Sequence, residues 1–204
     1  FLMDRYEVSN GEYLEFLEAL KVDDERKARA PAAGFDADPD RPAHFVVSSA
    51  ARELPVRGIS PQDAVTYCAW RSKQDAATVR LPTEAEWAVA AGAQLRQDLP
   101  GGGRGSPDDG DFAAPVSVRS AKDRTAYGVM GMLGNVREFT TGVRTASDAP
   151  DHFLVKGSAF GAEPEEAHVR RLRPVAKDYR DERTGFRCVR ELKAEEPEAP
   201  KDGG

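Results

Sequence analysis

Apolar residues recur at helical spacing in three parts of the chain, and each part begins with a capping signal. The capping residues are Ser9 with Glu12, Ser60 with Asp63, and Thr83 with Glu86. A hydroxyl side chain followed three residues later by a carboxylate satisfies the free amide groups of a first helical turn. The pattern predicts helices from residue 9 to about 21, from 60 onward and from 83 to 92.

Shorter β-type runs dominate the chain after residue 114. These runs are residues 115–118, 153–155 and 185–189. Two other segments, 23–42 and 98–111, are rich in Pro, Gly and charged residues. These two segments are predicted to be exposed loops with little regular structure. Three helices, few short strands and long loops together predict an irregular α+β fold.

Composition excludes several classes of protein. The chain has 204 residues, about one domain, with 40% hydrophobic residues and a net charge of −6. Such a charge gives no attraction to nucleic acid, and no apolar run approaches the roughly 20 residues that span a bilayer. We expect neither nucleic-acid binding nor membrane insertion.

The two ends of the chain suggest a piece of a longer protein. The sequence begins without Met, inside a predicted strand, so we expect the amino-terminal edge of the domain to be missing. Residues 193–204 are acidic and poor in apolar residues, which predicts a disordered tail or linker after a domain at 1–192. No signal peptide is visible, and the compartment, cytoplasmic or extracytoplasmic, stays unassigned.

Seven sequence blocks occur in an order typical of one family. They are YEVSN at 6–10, VRGISPQDA at 56–64, YCAW at 67–70, RLPTEAEW at 80–87, YGV at 127–129, LGNVREF at 133–139 and GFR at 185–187. Together they resemble the formylglycine-generating enzyme, or sulfatase-modifying factor, domain. The resemblance implies a C-type-lectin-like α+β fold in which most of these blocks are structural.

The sequence differs from this family at the positions of the catalytic cysteines. Active members bind copper through two cysteines that follow a Gly-Gly-Ser motif. Aligned on Gly157 and Ser158, those positions are Gly161 and Glu166 here. Neither residue replaces a thiolate as a ligand for soft Cu(I) or as an exchange partner for a substrate cysteine. We therefore assign no catalytic residue and no transition-metal cofactor.

Two further sites follow from the resemblance. Cys68 and Cys188 match a pair that is disulfide-bonded in secreted members, where a bridge closing about 120 residues would stabilise by roughly 4–5 kcal/mol. The alternative is two adjacent buried thiols. The family's calcium site corresponds to Gly134, Val136 and Glu138, but its upstream Asp/Asn ligand is Gly131 here, which weakens a site that needs six or more oxygens.

The functional hypothesis is a non-catalytic ligand- or protein-binding, or sensory, module of a larger bacterial protein. The run DRTAYG at 123–128 resembles the branch of the family attached to Ser/Thr protein kinases. A binding face is expected within 155–185. Its candidate residues are Phe160, Glu166, His168, Arg171, Arg173, Tyr179 and Arg180.

Arginine is abundant in this face and in the residues that follow it. Guanidinium groups recognise carboxylates or phosphates with two parallel hydrogen bonds. The alternative is a solvated face whose arginines pair with neighbouring acids. Arg187, in the GFR block, is predicted to form an internal ion pair.

The competing hypothesis is an oxygen-dependent metalloenzyme. Sulfoxide synthases, which are relatives of the formylglycine-generating enzyme, bind iron through histidines. An atypical site here would have to use His44, His152 and His168, which lack the spacing of a local metal motif.

Overall fold

The computed structural model describes residues 1–92, 114–120, 123–142, 152–162 and 172–192. The predicted loop at 98–111 and the predicted tail at 193–204 lie outside these residues.

Helices form where the capping signals predict them. The helices are α1 Asn10–Ala19, α2 Asp23–Ala28, α3 Pro61–Asp75 and α4 Glu84–Ala90. Before α1, α3 and α4, the hydroxyl of the residue at the cap accepts a hydrogen bond from the third helical amide, and the carboxylate at that position accepts the amide of the cap. All three predicted capping pairs are therefore confirmed.

Helix α2 corrects the prediction that 23–42 is an exposed loop. Its first turn carries three acidic residues and its last turn two basic ones, which matches the helix dipole. Arg26 is buried and donates to the carbonyls of Leu17 and Leu20 at the end of α1. The charged composition of this segment predicted a loop, although one of its charged residues, Arg26, caps the end of α1.

The strands are short and form three sheets. They are β1 Leu2–Met3, β2 Asp36–Ala37, β3 Phe45–Val46, β4 Val79–Arg80, β5 Arg137–Thr141, β6 Phe153–Lys156, β7 Arg173–Val175, β8 Thr184–Gly185 and β9 Val189–Arg190. One sheet has the order β1-β9-β4, one is the hairpin β2-β3, and the third has the order β7-β6-β5-β8. Pairing is antiparallel except between β5 and β8.

Two of the β-type runs differ from their predictions. Residues 115–118 form no strand, because the amide of Val116 donates to the side chain of Asn135 and the amide of Val118 donates to the carbonyl of Glu53. The run 185–189 is divided between β8 and β9. The run at 153–155 is confirmed as β6.

Aromatic side chains fill the centre of the domain. Tyr13, Phe16 and Tyr67 pack against one another with ring centroids 5.2–5.8 Å apart, and Phe186 contacts Tyr67 at 5.2 Å. A second apolar cluster surrounds Trp87, which is fully buried. Helices α1 and α3 thus pack on one side of the core and α4 on another.

A buried ion pair joins the sheets. Arg187 is fully buried and donates through Nε and Nη2 to the carboxylate of Glu138 at 2.8 and 2.6 Å. It also donates to the carbonyls of Asp4, Arg5 and Met130. The predicted internal ion pair of Arg187 is confirmed, and it ties β5 to the segments that precede β9 and follow β1.

Replacement of Arg187 tests this link. Arg187→Met leaves the Glu138 carboxylate buried without its cation, so we expect the free energy of unfolding to fall by about 3–5 kcal/mol. Chemical denaturation measures the change. Arg190→Met is the control, because Arg190 pairs with Asp75 at an exposed position and its loss is expected to cost less than about 1 kcal/mol. Equal losses in the two variants would contradict the assignment.

Candidate functional site

The segment after β6 contains the first of the two positions where active family members carry copper-binding thiols. Gly161 is exposed, has a φ of +59°, and a Cβ placed there would have no atom of the described residues within 4 Å. The second position, Glu166, lies outside the described residues.

Phe160, a predicted binding residue, is partly buried beside Gly161. The guanidinium carbons of Arg57 and Arg183 lie over its ring, at 5.6 and 5.8 Å from the centroid. Arg183 also donates through Nη2 to the carbonyl of Phe160 at 2.7 Å. The structure thus surrounds Phe160 with two arginines from distant parts of the chain.

Arg173 and Tyr179 form a second part of the predicted face. The Arg173 guanidinium lies 4.9 Å from the centroid of the Tyr179 ring. The Tyr179 hydroxyl donates to Asp181 at 2.7 Å, and burial together with that carboxylate raises the tyrosine pKa. Asp181 also pairs with Arg137 at 2.6 Å. The acid and the arginines of this patch are therefore partly paired with each other.

Arg180 uses its donors inside the domain. It donates to the carbonyls of Ala28, Ala30 and Gly58 and to the carboxylate of Asp63 at 2.8 Å. These bonds hold the segment after α2 against the start of α3. The remaining predicted face residues, Glu166, His168 and Arg171, lie outside the described residues, and ligand binding by this set stays a prediction.

The three residues of the expected calcium site lie around a tight turn before β5. Asn135 occupies the left-handed region at φ +62°, as the Gly-Asn pair predicts. The Oε2 atom of Glu138 accepts hydrogen bonds from Trp87 Nε1 and Arg187 Nε, and its Oε1 accepts one from Arg187 Nη2. The Arg187 guanidinium therefore already provides the positive charge that a cation would bring to this carboxylate.

The Glu7 side chain lies in the space that a side chain at position 131, the missing calcium ligand, would need. A Cβ at Gly131, where φ is +72°, would lie 3.0 Å from Oε2 of Glu7. The donor set Gly134, Val136 and Glu138 does not fit Ca²⁺ in this arrangement, because its one carboxylate is committed to Arg187 and the adjoining space is filled by Glu7.

Glu7 is the most strongly perturbed carboxyl of this region. Its side chain is fully buried, Oε2 accepts a hydrogen bond from Asn135, and Oε1 has no partner in the part of the chain that the structure describes. Burial, opposed in part by Arg187 and reinforced by Glu138 and Asp123, raises the pKa of Glu7 to about 8. Glu7 is therefore protonated at neutral pH.

The two cysteines lie together in the core. The Sγ atoms of Cys68 and Cys188 are 3.3 Å apart, and both residues are free thiols. Burial raises the pKa of the Cys188 thiol. Of the two states left open by the sequence, the structure contains the adjacent thiols.

The histidines of the competing hypothesis lie on different elements. His44 precedes β3 and its Nδ1 lies 3.0 Å from the Glu18 carboxylate, while His152 is exposed before β6. His168 lies outside the described residues. Within the described ranges, no group of three or more His, Cys, Asp or Glu side chains is placed to hold a metal ion. No described helix is long and apolar enough to cross a membrane.

Comparison with solved structures places this architecture among known folds. PvdO from Pseudomonas aeruginosa matches with a TM-score of 0.61 at 23% identity, covering 93% of this chain and 80% of that one. Treponema denticola variable protein 1 matches with a TM-score of 0.60 at 16% identity, covering 91% and 82%. The predicted fold class, a mixed α+β domain of the formylglycine-generating-enzyme type, is confirmed and is consistent with a C-type-lectin-like fold.

The family model of the sulfatase-modifying factor enzyme 1-like domain matches residues 1–192, so the chain belongs to this family. Bovine (Bos taurus) inactive C-alpha-formylglycine-generating enzyme 2 is 31% identical over 159 residues, which cover 67% of this chain and 50% of the relative. The formylglycine-generating enzyme of Mycobacterium tuberculosis is 30% identical over 178 residues, covering 66% and 56%. The chain spans about half the length of these curated relatives.

Sequence reasoning missed Arg57 and Glu7 as site residues. Arg57 belongs to the VRGISPQDA block, which we interpreted as the start of a helix, and only the fold brings it to Phe160. Glu7 lies between Tyr6 and Val8, with charged or polar residues close by at Asp4, Arg5, Ser9 and Asn10. The local sequence therefore gives no signal that Glu7 is buried.

The raised pKa of Glu7 predicts a specific pH dependence of stability. Between its unfolded value of 4.5 and about 8, the folded chain holds a proton that the unfolded chain has lost. The free energy of unfolding therefore decreases as pH rises through this range, by up to about 1.4 kcal/mol per pH unit. Glu7→Gln, which carries no titrating proton, should flatten the slope. Exposed Glu15→Gln is the control, and an unchanged slope in Glu7→Gln would contradict the assignment.

The thiol pair predicts protected cysteines. A maleimide reagent should label neither cysteine in the native chain and both after unfolding in guanidinium without reductant, as counted by mass spectrometry. Ser120→Cys, at an exposed position, should add one label that reacts at once. A native chain that shows no labels after unfolding would instead contain a disulfide.

Proposed function

We propose that this domain is a non-catalytic ligand- or protein-binding module of a larger bacterial protein. The observation that carries the proposal is the position of the two cysteine residues in the chain and in the fold. Gly161 occupies one thiol position and Glu166 the other, while both cysteines of the chain are buried side by side in the core. A buried thiol is neither an accessible copper ligand nor a nucleophile for a substrate cysteine.

The comparisons support the proposal. Two relatives, from Bos taurus and Mus musculus, carry the name inactive C-alpha-formylglycine-generating enzyme 2. Other relatives at 27–30% identity carry the name formylglycine-generating enzyme. The family thus includes members named for the activity and members named for its absence, and the thiol positions favour the second group for this chain.

The binding face itself consists of residues 157–162 and 173–183. This surface presents the aromatic rings of Phe160 and Tyr179, each with a guanidinium over it, beside the open position at Gly161. Aromatic and arginine side chains are the types enriched where proteins bind their partners. Attachment to a Ser/Thr protein kinase belongs to the same proposal and rests on the DRTAYG run alone.

The decisive experiment is an assay for formylglycine on a cysteine-containing sulfatase-type peptide. We expect the purified chain to leave the peptide unchanged with and without added copper, as read by mass spectrometry. The Mycobacterium tuberculosis enzyme serves as the positive control under identical conditions. Conversion of the peptide cysteine to its aldehyde by this chain would overturn the proposal, as would stoichiometric iron or copper that is lost in His44→Ala or His152→Ala.

A further inference from the structure

Arg57 and Arg183 are the two arginines that lie over the ring of Phe160. Neither makes an ion pair with a carboxylate in the described part of the chain. Arg80, Arg137, Arg180 and Arg187, in contrast, each lie within 2.6–2.8 Å of a carboxylate oxygen. Two unpaired guanidinium groups therefore converge on one aromatic ring, that of Phe160.

Most of the hydrogen-bonding capacity of this pair is unused. A guanidinium has five N–H donors. Arg57 forms one long bond, from Nη1 to the Glu182 carbonyl at 3.4 Å, and Arg183 forms one from Nη2 to the Phe160 carbonyl at 2.7 Å. Both Nε atoms are buried and have no partner in the described chain. The side chains are thus held against the ring, while Nη2 of Arg57 and Nη1 of Arg183 remain accessible and unbonded.

The acids near the pair do not neutralise it. Asp181 accepts hydrogen bonds from Arg137, from the Tyr179 hydroxyl and from the backbone amide of Arg183. Glu182 acts on Arg57 at long range only, and burial lowers the pKa of that arginine. Two like charges on one ring repel each other, so a bound anion would offset a repulsion that is uncompensated in the domain alone.

The backbone beside the pair leaves room for a ligand. Gly161 follows Phe160, and a Cβ placed there would have no atom of the described residues within 4 Å. A bound group would contact the ring edge, the two guanidinium forks and this glycine.

We propose that Arg57 and Arg183, held against Phe160, form a binding site for a carboxylate group carried by a peptide ligand. The planar fork of arginine matches a carboxylate in two parallel hydrogen bonds. A carboxylate with a single charge fits a chain of net charge −6 better than a phosphate dianion does. The inference rests on the proposed function and names the ligand class of that same face.

Titration of the isotopically labelled chain, followed by NMR of the arginine Nε–H groups, tests the site. The probes are a blocked triglutamate peptide, the matched triglutamine peptide and inorganic phosphate. We expect saturable shifts of Arg57 and Arg183 with triglutamate, weakening as salt is raised, and none with triglutamine. Stronger binding of phosphate would overturn the carboxylate assignment, and the absence of saturable shifts would overturn the site.

Substitutions distinguish binding by Arg57 and Arg183 from a general effect of positive surface charge. Arg57→Gln and Arg183→Gln should each weaken triglutamate binding by at least about tenfold, which is about 1.4 kcal/mol, because each removes a charge-assisted hydrogen bond. Arg183→Lys keeps the positive charge but loses the planar guanidinium. Its affinity for triglutamate should therefore lie between that of the unchanged chain and that of Arg183→Gln. The matched control is Arg119→Gln, because Arg119 lies 5.4 Å over the ring of Tyr6 but is paired with Glu53. Equal weakening in the control would overturn the proposal.

This test is independent of the test of the proposed function. If the titration fails while no formylglycine is made, the binding module stands and only its ligand class is wrong. If formylglycine is made, the non-catalytic assignment is wrong whatever the titration shows.

Discussion

The domain is organised around one fully buried guanidinium. Strands of two to five residues contribute few ladder hydrogen bonds, so short sheets need another connection to be held in register. Arg187 provides it by donating to Glu138 in β5 and to three carbonyls in segments far apart in sequence. A charge in such a position is tolerated only when it is paired and its donors are satisfied. Removal of any one partner therefore affects both sheets.

The same guanidinium sets the charge state of its neighbours. One positive charge is balanced by one carboxylate, and Glu138 takes that role with the shortest bonds. Glu7, buried beside the same cluster, has no second cation and so retains a proton, which lets it fill the space over Gly131 without a charge. Protein groups therefore fill the turn before β5, whereas a Cβ at Gly161, farther along the chain, would have no described atom within 4 Å.

Local signals in the sequence predicted local structure well. The capping pairs of α1, α3 and α4, the left-handed turn at Asn135 and the ion pair of Arg187 follow from residue types or from the family blocks. Helix α2 was missed because its charged residues resemble a solvated loop, although Arg26 is buried. The contact of Arg57 with Phe160 joins positions about a hundred residues apart, and no spacing rule in a single sequence brings them together.

Loss of the catalytic thiol position and exposure of the arginine pair are linked by geometry. Arg57 and Arg183 lie over the residue that immediately precedes Gly161, so cationic groups lie beside a position where this chain has no thiol. A thiolate at position 161 would place a negative charge beside the two guanidinium groups, whereas glycine leaves their charge uncompensated. A surface that keeps two arginines fixed against a ring without a carboxylate of its own is complementary to a ligand that supplies one. In the proposed function, the scaffold therefore uses this surface for a ligand without a thiol at position 161.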